Sequence, residues 1–350
     1  MSQRTWPSLL NRLLDGVDLT ADDTAWGMDQ VMSGEATAAQ IAAFVVALRA
    51  KGETPEEVDG LATMMLNHAN RFTVDVRATD IVGTGGDHSG SVNISTMAAI
   101  ITAAAGVPVV KHGNRAASSQ CGTADVLEAL GVAIDLPAAG VQETVRELGI
   151  GFCFAPVFHP GFRHAGPVRR EIGIPTSFNL LGPLTNPAQP TVGLIGCARA
   201  SAAPLIAGVF ARRRNTALVV RGDDGLDEIT TTTTTSAWLA QDGVVRTETI
   251  DPTVLGVKPA REEDLKGGDS SVNAQVVRDL VGGKTGSVRD AVLVNAAGAI
   301  AAHGGFSDDL HADLTASLSR AADAIDSGRA ATLLSRWVEL SQALKASPKK

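Results

Sequence analysis

Apolar positions at helical spacing open the chain. Ile41, Phe44, Val45 and Leu48 recur three and four residues apart until Gly52, and Leu61, Met64 and Met65 resume the pattern. Each run starts at a capping box, Thr37 with Gln40 and then Thr54 with Glu57, the second with Pro55 at the first helical position. Such a box satisfies two backbone N–H groups that a helix start leaves without partners. Residues 1–75 therefore read as a small helical unit, with Met64 and Met65 as core filler.

From residue 76 the pattern becomes short apolar runs alternating with Ala-rich helices, the mark of an α/β parallel sheet. Strands are predicted at Asp80–Val82, Val107–Val110, Phe152–Ala155, Val192–Ile195, Ala217–Val220 and Ala291–Val294. A helix over Ser95–Ala105 is apolar nearly all round and is expected to be buried. Another runs through Val126, Leu127 and Leu130 to Gly131. Thr230–Thr235 reads as a β-branched strand with a polar face. Phe158 to Pro190 carries six prolines, interrupts the alternation and is expected to return to the helical unit near 160–190. Leu310 to Leu344 reads as two amphipathic helices around Ser327-Gly328, and Ser347-Pro348-Lys349-Lys350 as a frayed end. The fold class is α/β: a small all-helical domain, 1–75, and a larger domain, 76–350, with a mainly parallel central sheet flanked by helices.

Composition narrows the partners. Hydrophobic residues at 44% and charged residues at 19% suit a globular chain and exclude disorder. The net charge of −8 sets the protein against nucleic acid and anionic membranes. No run of about 18 apolar residues is present to span a bilayer, and the start, MSQRTWPSLLNRLLDG, lacks a secretory core. Cys121, Cys153 and Cys197 are too scattered for a disulfide framework or a metal cluster. A cytoplasmic protein is expected.

Four segments carry chemistry. Gly83-Thr84-Gly85-Gly86-Asp87, followed by Ser91, Asn93, Ser95 and Thr96, lies between a strand and a helix. Glycines there let backbone N–H groups reach an anion at a helix start, and the hydroxyls could meet a metal. It is neither GxGxxG nor a Walker A loop. As an ordinary turn it would use Asn93 or Ser95 as N-cap. Lys111 to Ser119, with Thr123, follows the next strand and adds donors for phosphate oxygens. Loops at the carboxyl ends of parallel strands converge on one crevice. Arg221 to Glu228 ends an apolar strand with clustered carboxylates, which repel unless a cation such as Mg²⁺ lies between them; the plain reading is an acidic turn. Arg163, Arg169 and Arg170 concentrate positive charge between His159 and Pro187, where a guanidinium fork suits a carboxylate.

In this order and spacing the segments resemble the anthranilate phosphoribosyltransferases, whose pattern runs GTGGD…NxST, KHGNRxxSS…GxAD, HPxxxHxxPVRRExGxxTxFNxLGPLxNP and GLDE. The resemblance extends from the helical start to Asp326-Ser327-Gly328. It implies a nucleoside phosphorylase/phosphoribosyltransferase-like fold, with substrates in the cleft between the domains and dimerisation through the helical part. It implies that Gly83, Gly86, Asp87, Ser91, Asn93, Ile94, Ser95, Thr96, Lys111, His112, Gly113, Asn114, Arg115, Ala116, Ala117, Ser118, Ser119 and Thr123 hold phosphoribosyl pyrophosphate. Gly83, Asn114 and Arg169 would contact anthranilate, and Ser95, Asp227 and Glu228 would hold Mg²⁺. Cys121, Thr123, Pro175, Ser177 and the threonine run depart from the family's usual residues, and none removes a charged group given a role.

The implied reaction transfers the phosphoribosyl group to the amine of anthranilate and expels pyrophosphate, a step of tryptophan biosynthesis. Lys111 would stabilise the charge that leaves, and His112 is a candidate proton acceptor. A neutral aromatic amine can attack before losing its proton, so no strong general base is required. The rival readings are a pyrimidine nucleoside phosphorylase-like enzyme and a non-catalytic nucleic-acid-binding relative.

Overall fold

The computed structural model describes residues 4–116 and 119–346. Ala117, Ser118 and Ser347–Lys350 lie outside them. Four helices come first: α1 (Trp6–Leu14), α2 (Ala21–Met32), α3 (Ala38–Lys51) and α4 (Pro55–Asn67). Both expected capping boxes form. Thr37 Oγ1 accepts the Gln40 N–H at 3.3 Å, and Gln40 Oε1 accepts the Thr37 N–H at 2.9 Å. Thr54 and Glu57 make the same exchange at 3.2 and 2.8 Å.

The α/β part then runs β1 (Thr79–Gly83), α5 (Ile94–Ala104), β2 (Val109–Gly113), α6 (Thr123–Leu130), α7 (Ala138–Leu148), β3 (Ile150–Phe154), α8 (Ala155–Phe158), α9 (Ala165–Ile172), β4 (Val192–Gly196), α10 (Ala203–Arg212), β5 (Thr216–Gly222), β6 (Thr235–Gln241) and β7 (Val244–Ile250). It closes with α11 (Ser270–Val281), α12 (Ser287–Gly304), α13 (Leu310–Asp326) and α14 (Arg329–Ala346). The sheet has the order β3-β2-β1-β4-β5-β6-β7. Strands β3 to β5 are parallel neighbours, and β6 and β7 extend the edge antiparallel.

Strand alternation divides the cores. Ile81, Leu194 and Leu218 face the core built on α5 and α12, whereas Val82, Ile195 and Val219 face the one shared with the helical unit. The proline-rich crossing joins that second core through Ala165, Val168, Phe178 and Leu180, beside Phe44 and Leu48. Its Gly161 lies so close to α2 that a Cβ would stand 2.8 Å from the Met32 carbonyl oxygen. On α10, a Cβ at Gly208 would meet Pro55 Cγ at 2.7 Å. The helical unit is thus seated on the α/β part by backbone-close contacts.

Several expectations are corrected. Ala291–Val294 lies inside α12, not in a strand. Every residue from Ala291 to Ala302 is buried in that helix, so its apolar run carries no helical period to read. The threonine run is a loop up to Thr234, and β6 begins only at Thr235. Several of its hydroxyls reach carboxylates: Thr230 Oγ1 donates to Asp224 at 2.6 Å and Thr234 Oγ1 to Asp223 at 2.5 Å. Asn93 precedes α5 but does not cap it with its side chain. Strand β2 starts at Val109, two residues later than expected. The β6–β7 hairpin was not predicted, although Asp242 (φ 54°) and Gly243 (φ 85°) supply the Asp-Gly turn that favours one.

Candidate active site

The strand order turns back beside β1, which has β2 on one side and β4 on the other. Loops leaving β1 and β4 therefore part in opposite directions and open a crevice at their carboxyl ends. The loop after β1 is tied down on the β4 side, where the Thr84 N–H donates to the Gly196 carbonyl at 2.9 Å and Thr84 Oγ1 accepts the Ala198 N–H at 3.2 Å. Gly85 and Gly86 have φ of 66° and 83°, a conformation that side chains resist, and a Cβ on either would meet nothing within 4 Å. Open space beside two glycines in this conformation suits an approaching ligand.

The acidic loop after β5 folds across these strand ends. The Gly85 N–H donates to Asp227 Oδ2 at 2.7 Å. A Cβ at Gly83 would collide with the Asp227 carboxylate, and one at Gly196 with the Asp227 carbonyl oxygen. Glycine at Gly83 leaves room for that carboxylate, and glycine at Gly196 leaves room for the backbone that carries it. Glu228 Oε1 accepts the Ser95 N–H at 3.1 Å at the start of α5. Burial and the neighbouring Asp87 carboxylate push Asp227 up to about 7. Burial and then Asp227 raise Glu228 well above the usual carboxylate range. Two acids kept close against their repulsion, with the Asp87 carboxylate beside them, fit a divalent cation. Among the described residues no group of three or more His, Cys, Asp or Glu side chains could hold an ion. The fit therefore requires other oxygens, from the Ser95 hydroxyl or from a bound phosphate.

Lys111 lies beneath this cluster rather than on an outer loop. It is 2% exposed, and its Nζ donates to the Ile81 carbonyl and, at 3.2 Å, to Ser95 Oγ. Burial lowers its pKa, and the Asp80, Glu228 and Asp227 carboxylates oppose that shift. Asp80, itself buried, is pushed up to about 6 by burial while Lys111 pulls the other way. Its Oδ1 accepts the His112 N–H at 3.1 Å and its Oδ2 the Asn186 Nδ2–H at 2.9 Å.

His112 turns toward the proline-rich crossing. Its Nδ1–H donates to the Gly182 carbonyl at 3.0 Å, and its ring lies 5.2 Å from that of His159. Burial, with His159 and Lys111 adding to it, drops its pKa to about 3, which leaves a weak base. Arg115 faces α6 instead of the crevice. It pairs with Asp125 at 2.9 Å and Glu128 at 2.8 Å, while Asp125 Oδ2 also accepts the Ala116 and Gly122 N–H groups at 2.9 Å each. The second loop is thus fastened by Asp125.

Other sequence-predicted residues fall as follows. Thr96 Oγ1 donates to Thr123 Oγ1 at 3.4 Å across the two loops. Ser91 Oγ accepts from Ser89 Oγ at 3.1 Å, and the Asn114 side chain accepts the Arg115 N–H at 2.8 Å. Ile94 is 1% exposed and gives its side chain to the core, so only its backbone faces the loop. A Cβ at Gly113 would press on Thr123 and Phe152, and Ser119 is exposed. Ala117 and Ser118 lie outside the described residues. Arg169 is on α9, half-buried, with its guanidinium 5.4 Å from the Phe162 ring centre. Burial lowers its pKa, and its guanidinium makes no hydrogen bond or ion pair among the described residues, to Glu171 or to either loop.

Sequence reasoning missed Asp80 and Gly196. A carboxylate inside an apolar strand was a visible signal for Asp80, since a buried charge needs partners. Gly196 offered none, because its role depends on Asp227, which is distant in sequence.

A helical bundle seated on an α/β sheet, with a glycine loop and an acid pair at the sheet's switch point, defines a two-domain transferase. Residues 7–69 match the family described as glycosyl transferase family, helical bundle domain, and residues 75–331 match its a/b domain. The anthranilate phosphoribosyltransferase of Saccharopolyspora erythraea is 65% identical over 337 residues, 96% of each chain. That of Rhodococcus jostii is 60% identical over 345 residues, covering 98% of this chain and 95% of that protein. The crystal structure of the Thermus thermophilus enzyme superposes with a TM-score of 0.89 at 38% identity, over 95% of this chain and 99% of that one. The Saccharomyces cerevisiae enzyme in complex with PRPP and Mg gives 0.88 at 25%, over 98% and 99%. The chain belongs to the anthranilate phosphoribosyltransferase family. It is an enzyme that transfers the 5-phosphoribosyl group of phosphoribosyl pyrophosphate to the amine of anthranilate, a step of tryptophan biosynthesis. Neither the nucleoside phosphorylase nor the nucleic-acid-binding reading is favoured by these relatives.

Proposed function

We propose that the crevice at the carboxyl ends of β1, β4 and β5 holds phosphoribosyl pyrophosphate with Mg²⁺, and that Arg169 receives the anthranilate carboxylate. The observation that carries the reading is the Gly85–Asp227 bond, which puts backbone donors and metal-type carboxylates on one loop crossing. Asp227, Glu228 and the Ser95 hydroxyl would hold the ion, which when bound neutralises pyrophosphate oxygens. Gly83, Gly86, Asp87 and the start of α5 receive the phosphates, since open N–H groups and the helix dipole favour an anion there. Lys111, whose Nζ donates to Ser95 Oγ, lies where negative charge grows as the bond to pyrophosphate breaks and would stabilise it. His112, a weak base directed at Gly182, braces the crossing segment instead of taking a proton.

The arginine assignment is supported by what Arg169 lacks. A half-buried guanidinium stacked on Phe162 without an anionic partner is suited to a planar carboxylate. Gly83 and Asn114 would complete the anthranilate contact from the strand ends. We place the helical domain at 1–75, completed by 160–190, because the crossing segment shares its core. A homodimer through the helical unit is supported by the apolar exposure of Leu14 at 76%, Val17 at 47% and Val46 at 40%. Free, buried cysteines suit the reducing cytoplasm. No described helix is long and apolar enough to cross a membrane.

Calorimetric titration of phosphoribosyl pyrophosphate with and without Mg²⁺, then of anthranilate, tests the reading. Binding of the first ligand should require Mg²⁺ and vanish in Gly86→Val. Undiminished metal-free binding would overturn the metal assignment, and full binding by Gly86→Val would overturn the loop assignment.

A further inference from the structure

We propose that Asn273, on α11, is a positioning residue for the phosphoribosyl pyrophosphate site, acting through Asn93. This rests on the reading that the loop after β1 holds that substrate. Asn273 is 2% exposed and uses both ends of its amide. Its Nδ2–H donates to Asn93 Oδ1 at 2.9 Å, and its Oδ1 accepts the Gly268 N–H at 2.9 Å. Asn93 in turn donates from Nδ2 to the Cys121 carbonyl at 3.0 Å. A continuous amide chain therefore runs from α11 through the first substrate loop to the second.

The consequence lies at the start of α5. Asn93 stands at the N-cap, where an asparagine oxygen ordinarily turns back onto the helix's first N–H groups. Here Oδ1 is drawn to Asn273, and no side-chain cap forms. The Ser95 N–H goes to Glu228, while the Thr96 N–H meets no acceptor among the described residues. Asn273 thus holds Asn93 off the helix end and leaves a backbone donor for an anion. The segment before α11 reinforces this geometry. Val92 N–H donates to the Leu265 carbonyl at 2.9 Å, Gly267 N–H to the Gly90 carbonyl at 2.8 Å, and Lys266 Nζ to the Ser89 carbonyl at 2.5 Å. A Cβ at Gly267 would stand 2.8 Å from Asn273 Oδ1, so this approach needs glycine.

Asn273→Asp tests the role, since it preserves the acceptor for Gly268 and deletes the donor to Asn93. The Michaelis constant for phosphoribosyl pyrophosphate should rise about tenfold, the scale of one coupled hydrogen bond. The constant for anthranilate at saturating first substrate should stay nearly level. Asn273→Ala and Asn93→Ala, each alone and then combined, close a double-mutant cycle, and the combined loss should not exceed the larger single loss. Val277→Ala, a buried site on the same helix, controls for stability and should leave that constant unchanged at a temperature where it is folded. Additive losses in the cycle, an unchanged constant in folded Asn273→Asp, or an equal rise in Val277→Ala would overturn the proposal. If Gly86→Val also binds the substrate normally, the loop reading fails instead.

Discussion

Asp227 Oδ2 accepts the backbone N–H of Gly85 at 2.7 Å across 142 residues of chain. The bond joins the acidic loop to the glycine loop, so any displacement of one moves the other. It also explains why a carboxylate raised to about 7 is held there.

The acid pair should be required for turnover and unfavourable for the fold. Asp227→Asn with Glu228→Gln should lower turnover by several orders of magnitude. The substrate-free protein should melt at the same temperature or higher, because two mutually repelling carboxylates are gone. Steady-state rates and calorimetric melting check this, and near-normal activity would remove the metal assignment. A chelator should abolish wild-type activity and Mg²⁺ should restore it.

The same acids set a pH dependence. Asp227 takes up its proton at about 7 in the fold against 3.8 as a free side chain, and Glu228 is shifted in the same direction. A raised acid penalises the fold fully above its folded pKa and progressively less as pH falls toward the unfolded value. The metal-free protein should therefore gain stability from pH 8 down to about 5. Urea midpoints across that range should rise on acidification, and the double amide variant should flatten the slope.

Gly196 is the structure's own addition to the site. Gly196→Ala places a methyl against the Asp227 carbonyl, so the acidic loop must shift although no functional group is lost. Activity should fall at least tenfold, as expected when a catalytic group is displaced by about 1 Å. Normal kinetics in a folded variant would show that the loop tolerates the shift.

Arg169→Ala should raise the Michaelis constant for anthranilate by tens-fold or more, given about 2–5 kcal/mol for losing one partner of a desolvated charge pair. The constant for phosphoribosyl pyrophosphate should move far less. Lysine should rescue only in part, because a point charge does not reproduce the planar fork or its stacking on Phe162. Parallel losses for both substrates with a lowered melting point would make Arg169 a brace.

The sequence by itself determined the local structure and the chemical vocabulary. Thr37 with Gln40, Thr54 with Glu57, and Gly131 at the end of α6 are helix signals resolved within a few residues, and all three appear as read. The glycine loop, the Lys111 loop and the Asp227-Glu228 pair each allow a plain turn or loop reading, and were legible as a site because all of them occur together in one order and spacing. Tertiary structure alone decided which of those groups share a surface. Arg115 looked equivalent to Lys111 along the chain, yet Asp125 and Glu128 take its charge while Lys111 is buried under Ser95. The Ala291–Val294 run became a helix because surrounding elements cover every side of it, which erases the period that separates helix from strand. Gly196 and Asn273 were silent for a related reason. Their work is steric and hydrogen-bonding contact with residues far along the chain, and such contact has no local signature.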